Sequence, residues 1–164
     1  MLSELPTFTQ KKLRELEDSG NHLSPTYKAI ESSLTSQFTL RLLPKPDCFL
    51  DCFRTDGPDE NRGLNGDIYT KMQGPSEFTM SGVLENWDIS EQLKGVNIPT
   101  LILRGKYDTM SMRCSQKIRD SMPKGTAKII EIPRAAHCKL IDEPEVCVEE
   151  TYKFLKSQDF ESVD

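Results

Sequence analysis

The sequence predicts an α/β protein in two parts: a helical segment over residues 1–87, then a βαβα unit with parallel strands over residues 88–164. Three observations carry this. Thr100-Leu101-Ile102-Leu103 and Ala127 to Ile132 are short apolar runs of the kind found in parallel strands covered on both faces. Between them, Met112 to Met122 has the length of a helix and is stopped by Pro123-Lys124-Gly125, so the order is strand, helix, strand. Before Trp87 the apolar residues Tyr27, Ile30, Leu34, Phe38 and Leu42 recur at spacings of three and four, the period of a helix.

Residues 1 to about 43 read as helical. Thr9 to Glu17 forms a short helix of mixed charge ending at Ser19-Gly20. Ser24 is an N-cap and Pro25 the first helical position of the next helix. That helix runs through Leu42 until Leu43-Pro44-Lys45-Pro46 breaks it. Asp47 to Phe53 is one short helix with Phe49, Leu50 and Phe53 facing inward. Thr55 to Gly66, TDGPDENRGLNG, is a polar loop and the expected mobile part. Asp67 to Gln73 is a short helix closed by Gly74-Pro75. Asp88-Ile89-Ser90 starts another that ends near Lys94-Gly95, just before the first strand. Pro144 opens a final helix with Val146, Val148, Tyr152, Phe154 and Leu155 on and around its apolar face. The tail from Gln158 to Asp164 is expected to fray.

Two parallel strands do not make an independently stable sheet. Either another chain supplies the neighbouring strands, or the isolated chain is unstable. The composition agrees: the hydrophobic share is 36%, counting Tyr and omitting Gly, and exchanging the two still leaves it below the roughly 45–50% of ordinary domains. The net charge of -5 argues against a nucleic-acid binder, which would want a basic face. No apolar stretch approaches the roughly 18 residues of a membrane span. The first twenty residues lack the basic and apolar regions of a secretory signal. The five cysteines, an odd count at irregular spacing, read as free buried or semi-buried thiols in a reducing, cytoplasmic compartment. A zinc site built from His137, Cys138 and Cys147 is the other reading, with no C-x-x-C pair to organise it. Neither a metal nor a cofactor is expected.

Asp108 follows Gly105-Lys106-Tyr107 directly after the first strand. Reacting groups collect beyond the carboxyl ends of strands in open α/β sheets. A carboxylate there can hold an imidazole in one tautomer and stabilise its protonated form; taken alone, it equally reads as a cap of the following turn. His137, in Arg134-Ala135-Ala136-His137, follows the second strand. Its pKa range suits a general base for a serine hydroxyl; taken alone, it equally reads as a loop histidine. Together they are the second and third parts of the Ser…Asp…His order of α/β-hydrolases. The G-x-S-x-G that would carry the serine does not occur in the 164 residues, nor do a His-Gly-Gly-type oxyanion loop, a P-loop or G-x-G-x-x-G. Glu77, in Gly74-Pro75-Ser76-Glu77-Phe78, can receive a ligand ammonium, though taken alone it is a surface glutamate. Trp87 reads as a packing anchor, His22 as solvated, and Met80, Met110, Met112 and Met122 as packing residues.

These pieces resemble the proline iminopeptidase (prolyl aminopeptidase) family of α/β-hydrolases, its cap and C-terminal part only. The matching stretches are Tyr69-Thr70-Lys71-Met72-Gln73-Gly74-Pro75-Ser76-Glu77-Phe78-Thr79 and Gly82-Val83-Leu84-Glu85-Asn86-Trp87-Asp88. They continue in Ile98-Pro99-Thr100-Leu101, Arg104-Gly105-Lys106-Tyr107-Asp108, Ala136-His137 and the Glu143-Pro144 helix. The resemblance implies a partial α/β-hydrolase fold, with residues 1–87 as cap and 88–164 as the C-terminal part of the core. It implies that Asp108 is the triad acid, His137 the triad base, and Glu77 a ligand of the substrate's free α-amino group. The implied activity is release of N-terminal proline, or another residue, from short peptides. Lacking the nucleophile, the chain alone would be inactive. Its partners would be a short peptide with a free N-terminus and the missing N-terminal half or another subunit, with no nucleic acid and no membrane. Thr109 stands where tricorn-type relatives often carry an acid, and Lys106 where an acid is common; both weaken selection for an ammonium. Two other readings are a non-catalytic, partner-binding remnant and another cap-bearing hydrolase, such as an esterase or epoxide hydrolase.

Overall fold

A computed structural model describes residues 5–53, 63–76 and 78–158. The chain divides into two compact units, Met1–Thr35 with Leu42–Trp87, and Ser36–Arg41 with Asp88–Asp164. Much of the loop expected over Thr55 to Gly66, and the tail beyond Gln158, lie outside the described residues.

The first unit contains α1 (Thr7–Asp18), α2 (Pro25–Leu34), α3 (Asp47–Asp51) and α4 (Gly66–Gln73). Ser24 caps α2 as expected, its hydroxyl accepting the Tyr27 N–H at 3.2 Å. Asn65 does the same for α4 at Ile68 N–H, 3.0 Å, and Gly74 ends α4 at φ 102°, a conformation that glycine adopts without strain. Tyr27 is fully buried, between the edges of His22 (5.4 Å between centroids) and Phe78 (6.0 Å). His22 is therefore a ring partner rather than a solvated side chain. The Tyr27 hydroxyl donates to Ser76 Oγ at 3.1 Å, and Ser76 in turn donates to Glu17. Thr79 Oγ1 donates to the other Glu17 oxygen at 2.6 Å. The last turn of α1 thus holds Ser76 and Thr79.

Burial, with the negative charges of Glu17 and Glu31, pushes the Tyr27 phenol up to about 12 against the pull of the Ser76 bond. An unfolded phenol titrates near 10. Between those values only the unfolded chain loses its proton, so stability falls as pH rises. Tyr27→Phe is expected to remove that part of the alkaline loss. Urea midpoints for the two proteins between roughly pH 10 and pH 12 would then converge; parallel curves would rule the account out.

Over residues 1–87 several sequence expectations need correction. On α3 only Phe49 is buried, while Leu50 and Phe53 are exposed, because a five-residue helix turns one side inward. Trp87 is 64% exposed rather than packed as an anchor; the turn closed by its N–H on Leu84 C=O leaves the indole outside. Met80 is exposed too. The helix predicted through Leu42 ends at Leu34 and passes into a π-helical turn, Thr35–Thr39. The carbonyls of Phe38 and Thr39 accept N–H groups from His137 and Cys138 instead of continuing a helix. Leu42 is consequently exposed, and Leu40 is the buried residue.

The second unit contains α5 (Ser90–Leu93), β1 (Thr100–Gly105), α6 (Met112–Ser121), β2 (Ala127–Ile132), α7 (Lys139–Asp142) and α8 (Pro144–Lys156). The strands are parallel, in register from Thr100 opposite Ala127 to Gly105 opposite Ile132. This is the βαβα order that the sequence predicts. Both α6 and α8 pack on the strands. The core is Ile132, Ala135 and Cys147, with Leu103, Ile130 and Val146 against it. Among the described residues the sheet has two strands. Leu101, Ile102, Leu103, Ile129 and Ile130 are accordingly half-buried rather than covered on both faces. On α8 it is Cys147 that is buried; Val148, Tyr152 and Leu155 are exposed. Met110 is also exposed, whereas Met122 is buried. Among the described residues no helix is long and apolar enough to cross a membrane.

Candidate active site

The site is built where the two strands end. After Gly105 the chain turns, Lys106 N–H bonding to Ile132 C=O and Tyr107 N–H to Ala135 C=O, each at 3.0 Å. These bonds tie the loop after β1 to the loop after β2. They bring Asp108 and His137 together: His137 Nδ1 lies 2.9 Å from Asp108 Oδ1. The Asp108 side chain is 4% exposed and that of His137 51%. Asp108 Oδ1 also accepts Met110 N–H at 2.9 Å and the Thr109 hydroxyl at 3.3 Å. One oxygen of Asp108 therefore meets both the backbone of the following turn and the His137 ring. A proton on Nδ1 facing the carboxylate makes Nε2 the basic nitrogen of a neutral ring.

Burial alone would raise the Asp108 pKa. The bond from His137, the Met110 N–H and the positive charge of His137 and Lys139 outweigh it, and the carboxyl is held below its ordinary value. A group depressed in this way contributes stability above the unfolded value, near 4, that is lost as pH falls through the folded value. Asp108→Asn is expected to flatten the acid limb of the stability curve below roughly pH 4. Urea denaturation across that range checks it; an unchanged acid limb would mean that the pair is not formed in the folded chain.

Two further elements fix the pair, and the sequence reading did not find them. Arg104 is buried on β1, pairs with Glu131 opposite it on β2, and donates to Met110 C=O at 3.3 Å. It thus braces the turn whose N–H holds Asp108. Opposite charges at matched strand positions would have been a usable signal once the strands were aligned. The Ser36–Arg41 segment lies against the histidine loop, His137 N–H bonding to Phe38 C=O at 3.1 Å and Cys138 N–H to Thr39 C=O at 2.8 Å. No local pattern announces this contact.

Glu77, expected to receive a substrate amine, lies outside the described residues. Among the described residues no group of three His, Cys, Asp or Glu could hold a metal ion. Cys147 is buried with its thiol against Lys139 C=O at 3.3 Å, and burial pushes its pKa up. Cys48 and Cys52 are exposed, contrary to the expectation of buried or semi-buried thiols, because α3 presents only Phe49 inward.

No protein-family model matches the chain. A proline iminopeptidase of Flavobacterium johnsoniae is 31% identical over 157 residues, 93% of this chain and 48% of that protein. Those of Saccharolobus solfataricus and Heyndrickxia coagulans are 29% and 31% identical over 94% and 95% of the chain. The chain is similar to the proline iminopeptidases over about half of their length. Crystal structures of the Mycobacterium smegmatis proline iminopeptidase (TM-score 0.76, 24% identity) and of VinJ (0.77, 23%) each superpose on 95% of this chain and 50% of their own. That likeness shows the fold, a partial α/β-hydrolase. None of the three relatives is named an esterase or an epoxide hydrolase.

Proposed function

We propose that the chain supplies the acid and base of a serine-hydrolase-type aminopeptidase, with residues outside these 164 supplying the nucleophile and oxyanion donors. The observation that supports this is the bond between a buried carboxylate and a half-exposed imidazole across two adjacent strand ends. Asp108 holds Nδ1–H, so Nε2 of His137 can take the proton of a serine hydroxyl as it attacks an acyl carbon. Asp108 then stabilises the imidazolium, which returns the proton to the leaving amine. Residues 1–87 act as the cap, and Glu77 receives the free α-amino group. The substrate is a short peptide, cleaved after its first residue, proline being the choice that the relatives' name favours. Thr109 places a hydroxyl 3.4 Å from Nδ1 where a carboxylate could have served the amine, which weakens discrimination for an ammonium.

The half-buried strands favour a partner: one or more parallel strands beside the β1–β2 pair, in the remainder of a longer chain or in a second subunit. The experiment mixes or fuses the chain with the N-terminal half of a proline iminopeptidase and follows proline-nitroanilide hydrolysis. Activity that appears only with both parts supports the proposal. A stable complex without hydrolysis would favour the partner-binding remnant, and failure to associate at all would overturn both.

A further inference from the structure

We propose that Asp142 is a positioning residue for the His137 imidazole, a claim that rests on the Asp108–His137 reading. Three successive N–H groups around the histidine are each held. Asp142 Oδ2 accepts from Ala136 at 2.8 Å, Phe38 C=O from His137 at 3.1 Å, and Thr39 C=O from Cys138 at 2.8 Å. The other Asp142 oxygen, Oδ1, accepts Arg41 N–H at 2.9 Å. One carboxylate therefore joins the histidine loop to the very segment whose carbonyls hold the next two amides. Arg41 extends the brace, its guanidinium lying 3.9 Å from the centre of the Tyr107 ring, next to Asp108 in the chain. The strap thus touches both partners' loops. Charge-assisted bonds from an ionised carboxylate are the stronger kind. They act on backbone groups, so they fix where the Cα of His137 sits and hence where its ring meets Asp108. Asp142 acts through this placement and touches no reacting atom.

The test uses isotopically labelled 164-residue chain, with Asp142→Ala, Asp142→Asn and Asp108→Asn. Nitrogen-correlated NMR of the imidazole reads which ring nitrogen carries the proton, and amide exchange reads the loop. Asp142→Ala is expected to speed exchange at Ala136 and Arg41 about tenfold or more and to shift the His137 ring from the Nδ1–H tautomer toward a mixture. Asp142→Asn keeps one accepting oxygen, so it should fall between wild type and Ala; it also serves if the Ala variant does not fold. A folded Asp142 variant that is less stable but has an unchanged ring pattern would overturn the proposal, leaving Asp142 a structural residue. If Asp108→Asn alone leaves the ring unchanged, the acid–base pair itself falls, whatever Asp142 does to the amides.

Discussion

In a chain completed by a serine-bearing half, His137→Ala is expected to lower kcat for a prolyl anilide by about 10^6-fold, and Asp108→Asn by about 10^4-fold. The difference follows from their positions. His137 carries the proton, so without it the serine hydroxyl has no base. Asp108 holds Nδ1 at 2.9 Å; an asparagine there can offer an N–H to the ring and stabilise the wrong tautomer. KM should change far less than kcat in both, since neither side chain is proposed to hold the ground-state peptide. Glu77→Ala should do the reverse, raising KM for substrates with a free amine. His22→Ala, which alters a ring contact of Tyr27, should leave kcat within about twofold, since His22 is given no part in the proton transfer. Steady-state kinetics on the four variants decide the matter. A loss of less than about tenfold for His137→Ala would remove it from the mechanism.

The strand–helix–strand order and the Asp108–His137 juxtaposition were legible because each rests on local signals. Apolar runs, a Pro-Lys-Gly stop and residues just past strand ends are all short-range features. What the sequence did not disclose is non-local. The π-helical turn at Thr35–Thr39 replaces a helix that periodicity alone would extend to Leu42. It arises because amides some hundred residues later claim the carbonyls of Phe38 and Thr39. Arg104 and Asp142 carry no motif; their roles depend on strand register and on a loop contact across the unit. Burial departs from side-chain type where it depends on neighbours that the described residues do not provide. Leu101 and Ile129 have the side chains of a doubly covered strand, yet stand half-buried in a two-stranded sheet. Trp87 has the size of a core anchor and stands outside.

Gly105→Ala is expected to be the most damaging single substitution in the unit, costing about 3 kcal/mol or more. A Cβ at this position would lie 2.1 Å from Ala136 O, 2.5 Å from Ala135 O and 2.7 Å from Ala135 C. These are backbone atoms and cannot rotate away like a side-chain tip. Nor can the loop simply lift, because each of its groups is committed. Ala135 C=O accepts Tyr107 N–H, Ala136 N–H goes to Asp142, and His137 N–H goes to Phe38. Relief of the clash must break one or more of these bonds, and the nearest atom belongs to the residue before His137. The chain therefore uses glycine here so that the histidine loop can cross the end of β1 closely enough for the ring to reach Asp108. Urea denaturation should show a lower midpoint with an unchanged slope, and the Nδ1–H signal of His137 should be lost even where the variant stays folded. Gly95→Ala is the matched control: its Cβ would meet only Gln92 O at an ordinary 3.7 Å, and its cost should stay within about 0.5 kcal/mol. Equal stability for the two variants would mean that the loop carrying His137 does not cross β1 where the structure puts it, and the acid–base pair would lose its geometric basis.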